Sequence, residues 1–207
     1  MPHRDDISPL ALNRISVYLR CTRRLQELGV ARISSQEMAR RFHLSASQIR
    51  KDLAYFGEFG IRGVGYDVAS LGERLEKLLG IQHEHPAILV GAGNIGTALA
   101  LFPGFRSGSF SIQAIFDNDP EKVGSELAGL TIRPSHELAA GVTETRAEIA
   151  ILTVPAEAAQ QNYDALVAAG IKAVLNFAPV QLALDPGVRV KTVDLTIFME
   201  ELAFYLQ

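Results

Sequence analysis

The chain has 207 residues, 48% of them hydrophobic and 21% charged, which suits a folded globular protein and excludes a disordered one. No run approaches the roughly 18 apolar residues of a membrane span, the start MPHRDDISPL has no signal-peptide core, and the lone Cys21 excludes an intrachain disulfide, so a cytoplasmic, metal-free protein is expected. The net charge of −3 hides a division: residues 1–80 hold 13 basic and 9 acidic residues, and residues 81–207 hold 7 and 14. A basic module suited to a polyanion is joined to an acidic one.

Ser8 and Pro9 have the order of an N-cap and first helical position. Leu12, Ile15, Leu19, Leu25 and Leu28 then form a stripe near helical period, and Gly29 stops it. Ser34 and Glu37 have capping-box spacing before Met38, Ala39 and Phe42. Ser45 and Gln48 repeat that spacing before Ile49, Leu53 and Phe56, which end at Gly57. Two short capped helices joined by a turn at His43–Leu44 read as a helix-turn-helix. Ser47, Lys51 and Ala54 point away from the buried stripe of the third helix, flanked by Arg50 and Tyr55. Recognition helices carry small, polar and basic residues near such a face, so Ser47, Gln48, Arg50, Lys51 and Tyr55 are the candidate DNA contacts of this helix. The glycine-dense stretch GEFGIRGVGYDV then predicts a small hairpin, the wing of a winged helix, with Arg62 at its tip. Ser70 and Glu73 have capping spacing for a helix ending near Gly80, and residues 81–86 form a linker.

From Ala87 the pattern changes. AILV, SIQAIFD, EIAILTV, IKAVLNF and VRVKTV read as strands alternating with helices, as in a parallel sheet covered on both faces. The fold class is α/β: a winged helix-turn-helix over residues 1–80, a Rossmann-type domain over 86–193, and a C-terminal helix over 194–207. The first strand runs into GAGNIG, made of Gly91, Ala92, Gly93, Asn94, Ile95 and Gly96. Gly91 makes the tight turn, Gly93 admits a pyrophosphate, and Gly96 lets helix and strand pack closely. Asp117 ends the next strand, where an acid accepts from an adenosine ribose and repels a 2′-phosphate, favouring NAD over NADP. Thr153, Val154, Pro155, Asn176 and Pro179 lie in strand-end loops that face the nicotinamide half. An apolar pocket there disfavours the charged oxidised ring, so NADH binds more tightly than NAD⁺. No catalytic acid or base is evident: His83 and His85 precede the first strand, and His136 reads as a surface residue at a helix start. The rival readings are an NAD-dependent dehydrogenase on the same sheet and a winged helix used only for protein contact. Leu195, Phe198, Met199, Leu202, Tyr205 and Leu206 give the last helix an apolar face broad enough for a homodimer.

The segments SQIRKDLAYFGEFGIRGVGY, GAGNIG, FDNDPEKVG, LTVPAEAAQ, GIKAVLNFAPV and TVDL together resemble the Rex family of redox-sensing transcriptional repressors, along essentially the whole chain. The resemblance implies a homodimer that exchanges its C-terminal helix, binds operator DNA in the apo or NAD⁺ form, and releases it when NADH binds. It implies that Arg50 and Lys51 contact DNA with Arg62 on the wing, and that Gly91 to Gly96 and Asp117 hold the adenosine and pyrophosphate. It also pairs Arg20 with Asp194 as a switch across the dimer. The family's tyrosine near Phe102 is replaced here by a ring without a hydroxyl.

Overall fold

Ser8 starts α1 (Pro9–Glu27) by accepting the Ala11 N–H at 3.2 Å, and Pro9 stands in the first turn, where an amide would have no helical partner. The computed structural model describes residues 7–61, 63–105 and 108–206, and divides into two units, Met1–His83 and Glu84–Gln207. The expected wing-tip residue Arg62 lies outside the described residues.

In the first unit, α1 joins α2 (Ser35–Phe42), α3 (Ala46–Phe56) and α4 (Val68–Leu79) around a core that includes Ile15, Leu25, Met38, Ile49, Leu53, Phe56 and Leu71. The buried arc of α1 includes residues 15, 18, 19, 22 and 25, so Leu12 and Leu28 of the predicted stripe are exposed at its ends. Thr22 is tolerated inside because its hydroxyl donates to the Tyr18 carbonyl at 2.8 Å. Ser34 and Ser45 cap α2 and α3 by accepting the N–H groups of Glu37 and Gln48. Their boxes do not close reciprocally: Glu37 pairs with Arg40 and Arg41, and Gln48 turns to Asp52.

The cap of α4 differs from expectation. Asp67 accepts the Ser70 N–H at 2.9 Å, and the helix begins at Val68, not at the Ser70–Glu73 pair. Val68 and Leu71 are both buried, and an earlier start places them on one face. Two short strands, β1 (Arg32–Ile33) and β2 (Tyr66–Asp67), pair antiparallel, and an Ile61–Gly65 bridge closes the small hairpin before β2. Gly65 needs to be glycine: its φ is +89°, and a Cβ there would stand 2.6 Å from the Ile33 carbonyl oxygen.

The second unit is a seven-stranded sheet of β3 (His85–Val90), β4 (Phe110–Asp117), β5 (Glu126–Leu127), β6 (Leu130–Pro134), β7 (Ile149–Leu152), β8 (Ala173–Asn176) and β9 (Arg189–Thr192). The order is β5-β6-β4-β3-β7-β8-β9, parallel except for the β5–β6 edge pair. Without that edge strand this is the doubly wound order of a Rossmann sheet, with its switch point between β3 and β7. The helices are α5 (Asn94–Leu101), α6 (Leu138–Thr145), α7 (Ala156–Ala168) and α8 (Leu195–Phe204). The sheet buries Ile88, Val90, Phe116 and Leu152 among one cluster with Leu138 and Leu166, and Leu89, Ile115 and Ile151 in another with Ala100. The sequence reading missed β5 and β6, where the apolar alternation is only a few residues long. His85 belongs to β3 and does not precede it: it pairs with Phe110, and the two rings stack.

Candidate functional site

At the switch point the chain turns sharply after β3. The Gly91 N–H donates to the Phe116 carbonyl at 2.8 Å, its φ is +100°, and the Thr153 hydroxyl donates to its carbonyl oxygen at 2.7 Å. A Cβ on Gly96 would stand 1.9 Å from that same carbonyl oxygen, so α5 can approach β3 only without a side chain there. A Cβ on Gly93 would meet nothing within 4 Å. The space above Gly93 is open to a ligand at the N-terminus of α5, where free N–H groups favour phosphate.

That space belongs to a cavity of about 610 Å³ whose wall includes Gly91, Gly93, Asn94, Ile95, Asp117, Thr153, Val154, Pro155 and Pro179. Three residues predicted for the site have other tasks. The Ala92 N–H donates to Asp117 Oδ2 at 2.6 Å, Gly96 is the helix–strand contact, and Asn176 is fully buried. The Asn176 side chain accepts the Ala178 N–H at 2.9 Å and donates to the Ala178 carbonyl at 3.3 Å, shaping the loop that carries Phe177 and Pro179. The wall also contains Phe177 of the loop expected to face the nicotinamide, together with Asn118, Lys122, Ser135 and Asn162, which the sequence did not single out. Of these, Lys122 could have been noticed from its place in FDNDPEK, five residues beyond the acid. Its Nζ lies 3.7 Å from Asp117 Oδ2 and 3.2 Å from Asp119 Oδ2. The Asp119 bond, more than the charge of Asp117, raises the Lys122 pKa, and Asp119 is held low by the Glu121 N–H and then by Lys122. Asp117 also accepts the Asp119 N–H at 2.8 Å, so its carboxylate anchors both the glycine turn and the turn after β4.

The outer face of α3 presents Ser47, Arg50, Lys51, Ala54 and Tyr55 to solvent. Arg50 Nη1 donates to Ser35 Oγ at 3.0 Å, which ties it to the first turn of α2, and Ser47 shares a 2.9 Å hydroxyl contact with the cap Ser45. Gln48 is turned inward, donating to Asp52 Oδ1 at 2.7 Å. A groove of about 620 Å³ runs between α3 and the hairpin, with Arg50, Ala54, Gly60 and Tyr66 in its wall.

Of the three residues expected in a switch, Arg20 is exposed on α1. Phe102 ends α5, 53% exposed and edge-on to Phe105 with ring centres 5.8 Å apart. Asp194 caps α8, accepting the N–H of Thr196 at 2.9 Å and its hydroxyl at 2.6 Å, and these bonds, the hydroxyl's first, hold its carboxyl below the usual range. Leu195, Phe198, Met199 and Leu202 of α8 are all more than half exposed.

A family model described as "Putative DNA-binding protein N-terminus" matches residues 6–54, and one described as "CoA binding domain" matches residues 82–180. A redox-sensing transcriptional repressor Rex from Syntrophomonas wolfei is 46% identical over 200 residues, covering 97% of this chain and 95% of that protein. RSP, solved in complex with β-NAD⁺ and operator DNA, superposes with a TM-score of 0.91 at 34% identity, over 97% of this chain and 92% of that one. RSP in complex with β-NADH gives a TM-score of 0.88 at 32% identity, over 97% and 94% of the two chains. With a DNA-binding helix pair, a Rossmann cradle and relatives of this identity along nearly its whole length, the chain belongs to the Rex family of redox-sensing transcriptional repressors.

Proposed function

We propose that this protein is a transcriptional repressor that binds double-stranded operator DNA as a homodimer and leaves it when NADH binds, so that it reports the cellular NADH/NAD⁺ ratio. The observation that carries this reading is a basic helix-turn-helix and an open nucleotide cradle in one chain, similar throughout to a repressor solved with operator DNA and with each form of the cofactor. Such a repressor works in the cytoplasm, beside its DNA.

Gly91, Gly93, Asn94 and Ile95 would receive the pyrophosphate, with Gly96 allowing the close packing beneath them, and Asp117, steadied by Ala92, would receive the adenosine ribose. Thr153, Val154, Pro155 and Pro179, on the loop shaped by Asn176, would face the nicotinamide. The bound cofactor brings a ring that is cationic when oxidised and neutral when reduced. The wall formed by Ile95, Val154, Pro155, Phe177 and Pro179 desolvates a cation at a cost, which favours NADH. A ligand shifts a conformational equilibrium only by its differential affinity for the two states. NADH would therefore favour a dimer whose α3 helices no longer match consecutive major grooves, about 34–36 Å apart. Arg50, Lys51, Tyr55 and Ser47 would face the groove, with Gln48 supporting the face from behind. Arg20 of one subunit and Asp194 of the other would form the pair that exists in one ligand state, with Phe102 in place of the tyrosine the resemblance implies. The exposed apolar face of α8 supports an exchanged helix in the dimer.

An enzyme would need an acid or base beside the nicotinamide. Among the described residues, the cavity wall has Asp117 and Lys122 as its only titratable side chains, both at the ribose end of the proposed site. We therefore infer a sensor and not a dehydrogenase. The deciding experiment selects bound duplexes from a random-sequence pool and titrates the selected duplex with and without NADH. Salt-dependent binding that NADH weakens supports this reading. Steady-state NADH turnover, or no DNA binding, would overturn it.

A further inference from the structure

The cavity wall carries one cation among its described residues, Lys122, and it sits beside the acid expected to choose the cofactor. Its ammonium lies 3.7 Å from one oxygen of Asp117 and 3.2 Å from one of Asp119. Two carboxylates and one ammonium leave the trio at −1. A nucleotide bearing a 2′-phosphate would bring a further dianion to that place and be repelled. Removal of Asp117 changes more than one repulsive charge, because it also takes away one of the two anions that occupy Lys122. The lysine is 39% exposed on a flexible stem, so it can swing toward a new anion without disturbing buried structure.

We infer that Lys122 is a latent 2′-phosphate ligand, a second specificity-determining residue that Asp117 and Asp119 keep occupied, so that the choice between NADH and NADPH is made by the three side chains together. This rests on the proposed nucleotide-binding function and deepens it: the ligand class is a dinucleotide with or without a 2′-phosphate, and a small change of charge separates the two.

The charges of the trio order the variants. Asp117→Ala takes it to 0 and leaves Lys122 held by Asp119 alone, with a 2′-phosphate dianion as the stronger competitor; Lys122→Ala takes it to −2; the double substitution restores −1 with no cation to pair. The test is calorimetric titration of the full-length dimer with NADH and with NADPH, in the parent, both single variants and the double. Asp117 also accepts backbone N–H bonds from Ala92 on one oxygen and from Asp119 on the other, so Asp117→Asn, which keeps one of the two acceptors, is measured beside Asp117→Ala. We expect the NADPH-to-NADH affinity ratio to rise about tenfold or more in either Asp117 variant. Adding Lys122→Ala should return most of that gain, and Lys122→Ala alone should lower the ratio below the parent's. An equal gain with and without Lys122 would overturn the inference, since relief of repulsion from Asp117 would then suffice; so would no gain in either Asp117 variant. Failure of the parent to bind NADH at all would overturn the proposed function, and this inference with it.

Discussion

Arg14 and Asp52 stand 38 positions apart, yet the Arg14 guanidinium grips the Asp52 carboxylate with two bonds, of 2.6 and 2.8 Å, and so joins α1 to α3. The Tyr18 hydroxyl adds a third bond at 2.9 Å and Gln48 a fourth at 2.7 Å. Asp52 is only 5% exposed. Burial would raise its pKa, but the bonds from Arg14, Tyr18 and Gln48 outweigh burial and hold it below the ordinary carboxylate range. Burial first, and then the bond to Asp52, pushes the Tyr18 hydroxyl well up.

Asp52→Ala leaves three donors without an acceptor in the heart of the first unit. Removing one partner of a buried pair costs about 3–5 kcal/mol, and the part-exposed Arg14 can recover some hydration, so about 2–3 kcal/mol is expected, read by denaturant unfolding. Because the folded-state pKa of Asp52 is depressed, its contribution is fully present above the unfolded value of about 3.9 and is lost as pH falls through the folded value. The acid limb of the stability profile should therefore flatten in Asp52→Asn.

Gln48 and Lys51 both belong to α3 but should behave differently on DNA. Lys51→Ala should weaken binding to all duplexes and lower the salt slope by roughly one unit for each phosphate that is no longer neutralised. Gln48→Ala should leave the ranking of operator variants unchanged, since its amide is held by Asp52. The check is affinity across single-base operator variants at several salt concentrations. A re-ordered ranking for Gln48→Ala would make it a base reader.

Gly96→Ala and Gly93→Ala should separate folding from binding. At Gly96 the new methyl would lie 1.9 Å from the Gly91 carbonyl oxygen, so overpacking should cost about 1–3 kcal/mol or more and shift the melting of the second unit. At Gly93 the methyl meets nothing within 4 Å, so stability should be nearly unchanged while NADH affinity falls. Thermal unfolding and calorimetric titration of both variants distinguish the two effects.

The α8 face should be covered by a second copy of the chain. Leu202→Glu places a charge in a face that includes Phe198 and Met199, each more than half exposed. Sedimentation should then report monomers where the parent is a dimer, with loss of tight operator binding. A dimer that still binds DNA normally would place the interface elsewhere.

The proposed switch predicts that Asp194→Ala and Arg20→Ala each shrink the effect of NADH on DNA affinity, out of a typical allosteric range of about 5–150-fold. Asp194 also caps α8, so its alanine variant carries a further cost of about 1 kcal/mol that Arg20→Ala avoids. By reciprocity, DNA should lose its effect on NADH affinity by the same factor. Phe102→Tyr, which restores the family hydroxyl, should move coupling in the opposite direction or leave it unchanged. DNA affinity with and without saturating NADH is the measurement, and full coupling in both alanine variants would assign the switch to domain packing.

Local chemistry was enough to locate most of the elements. Ser8, Ser34 and Ser45 cap the helices they precede, Gly29 and Gly80 follow helix ends, and Gly91 and Gly96 have the close approaches that their spacing implied. These depend on neighbours a few residues away, and a sequence displays such neighbours directly. The strands β5 and β6 were not legible, because so short a pattern has no period of its own and forms only against β4. Nor was the inward turn of Gln48, a candidate DNA contact whose amide instead donates to the buried carboxylate of Asp52. Asn176 stood in a loop suited to a ligand, and its amide is spent on the loop's own backbone. Lys122 lines the cavity because the turn after β4 folds back on Asp117. A side chain's partner is set by burial and by which distant donors and acceptors the fold brings within about 3 Å, and residues 34, 38 or 63 positions apart meet only once the chain has packed.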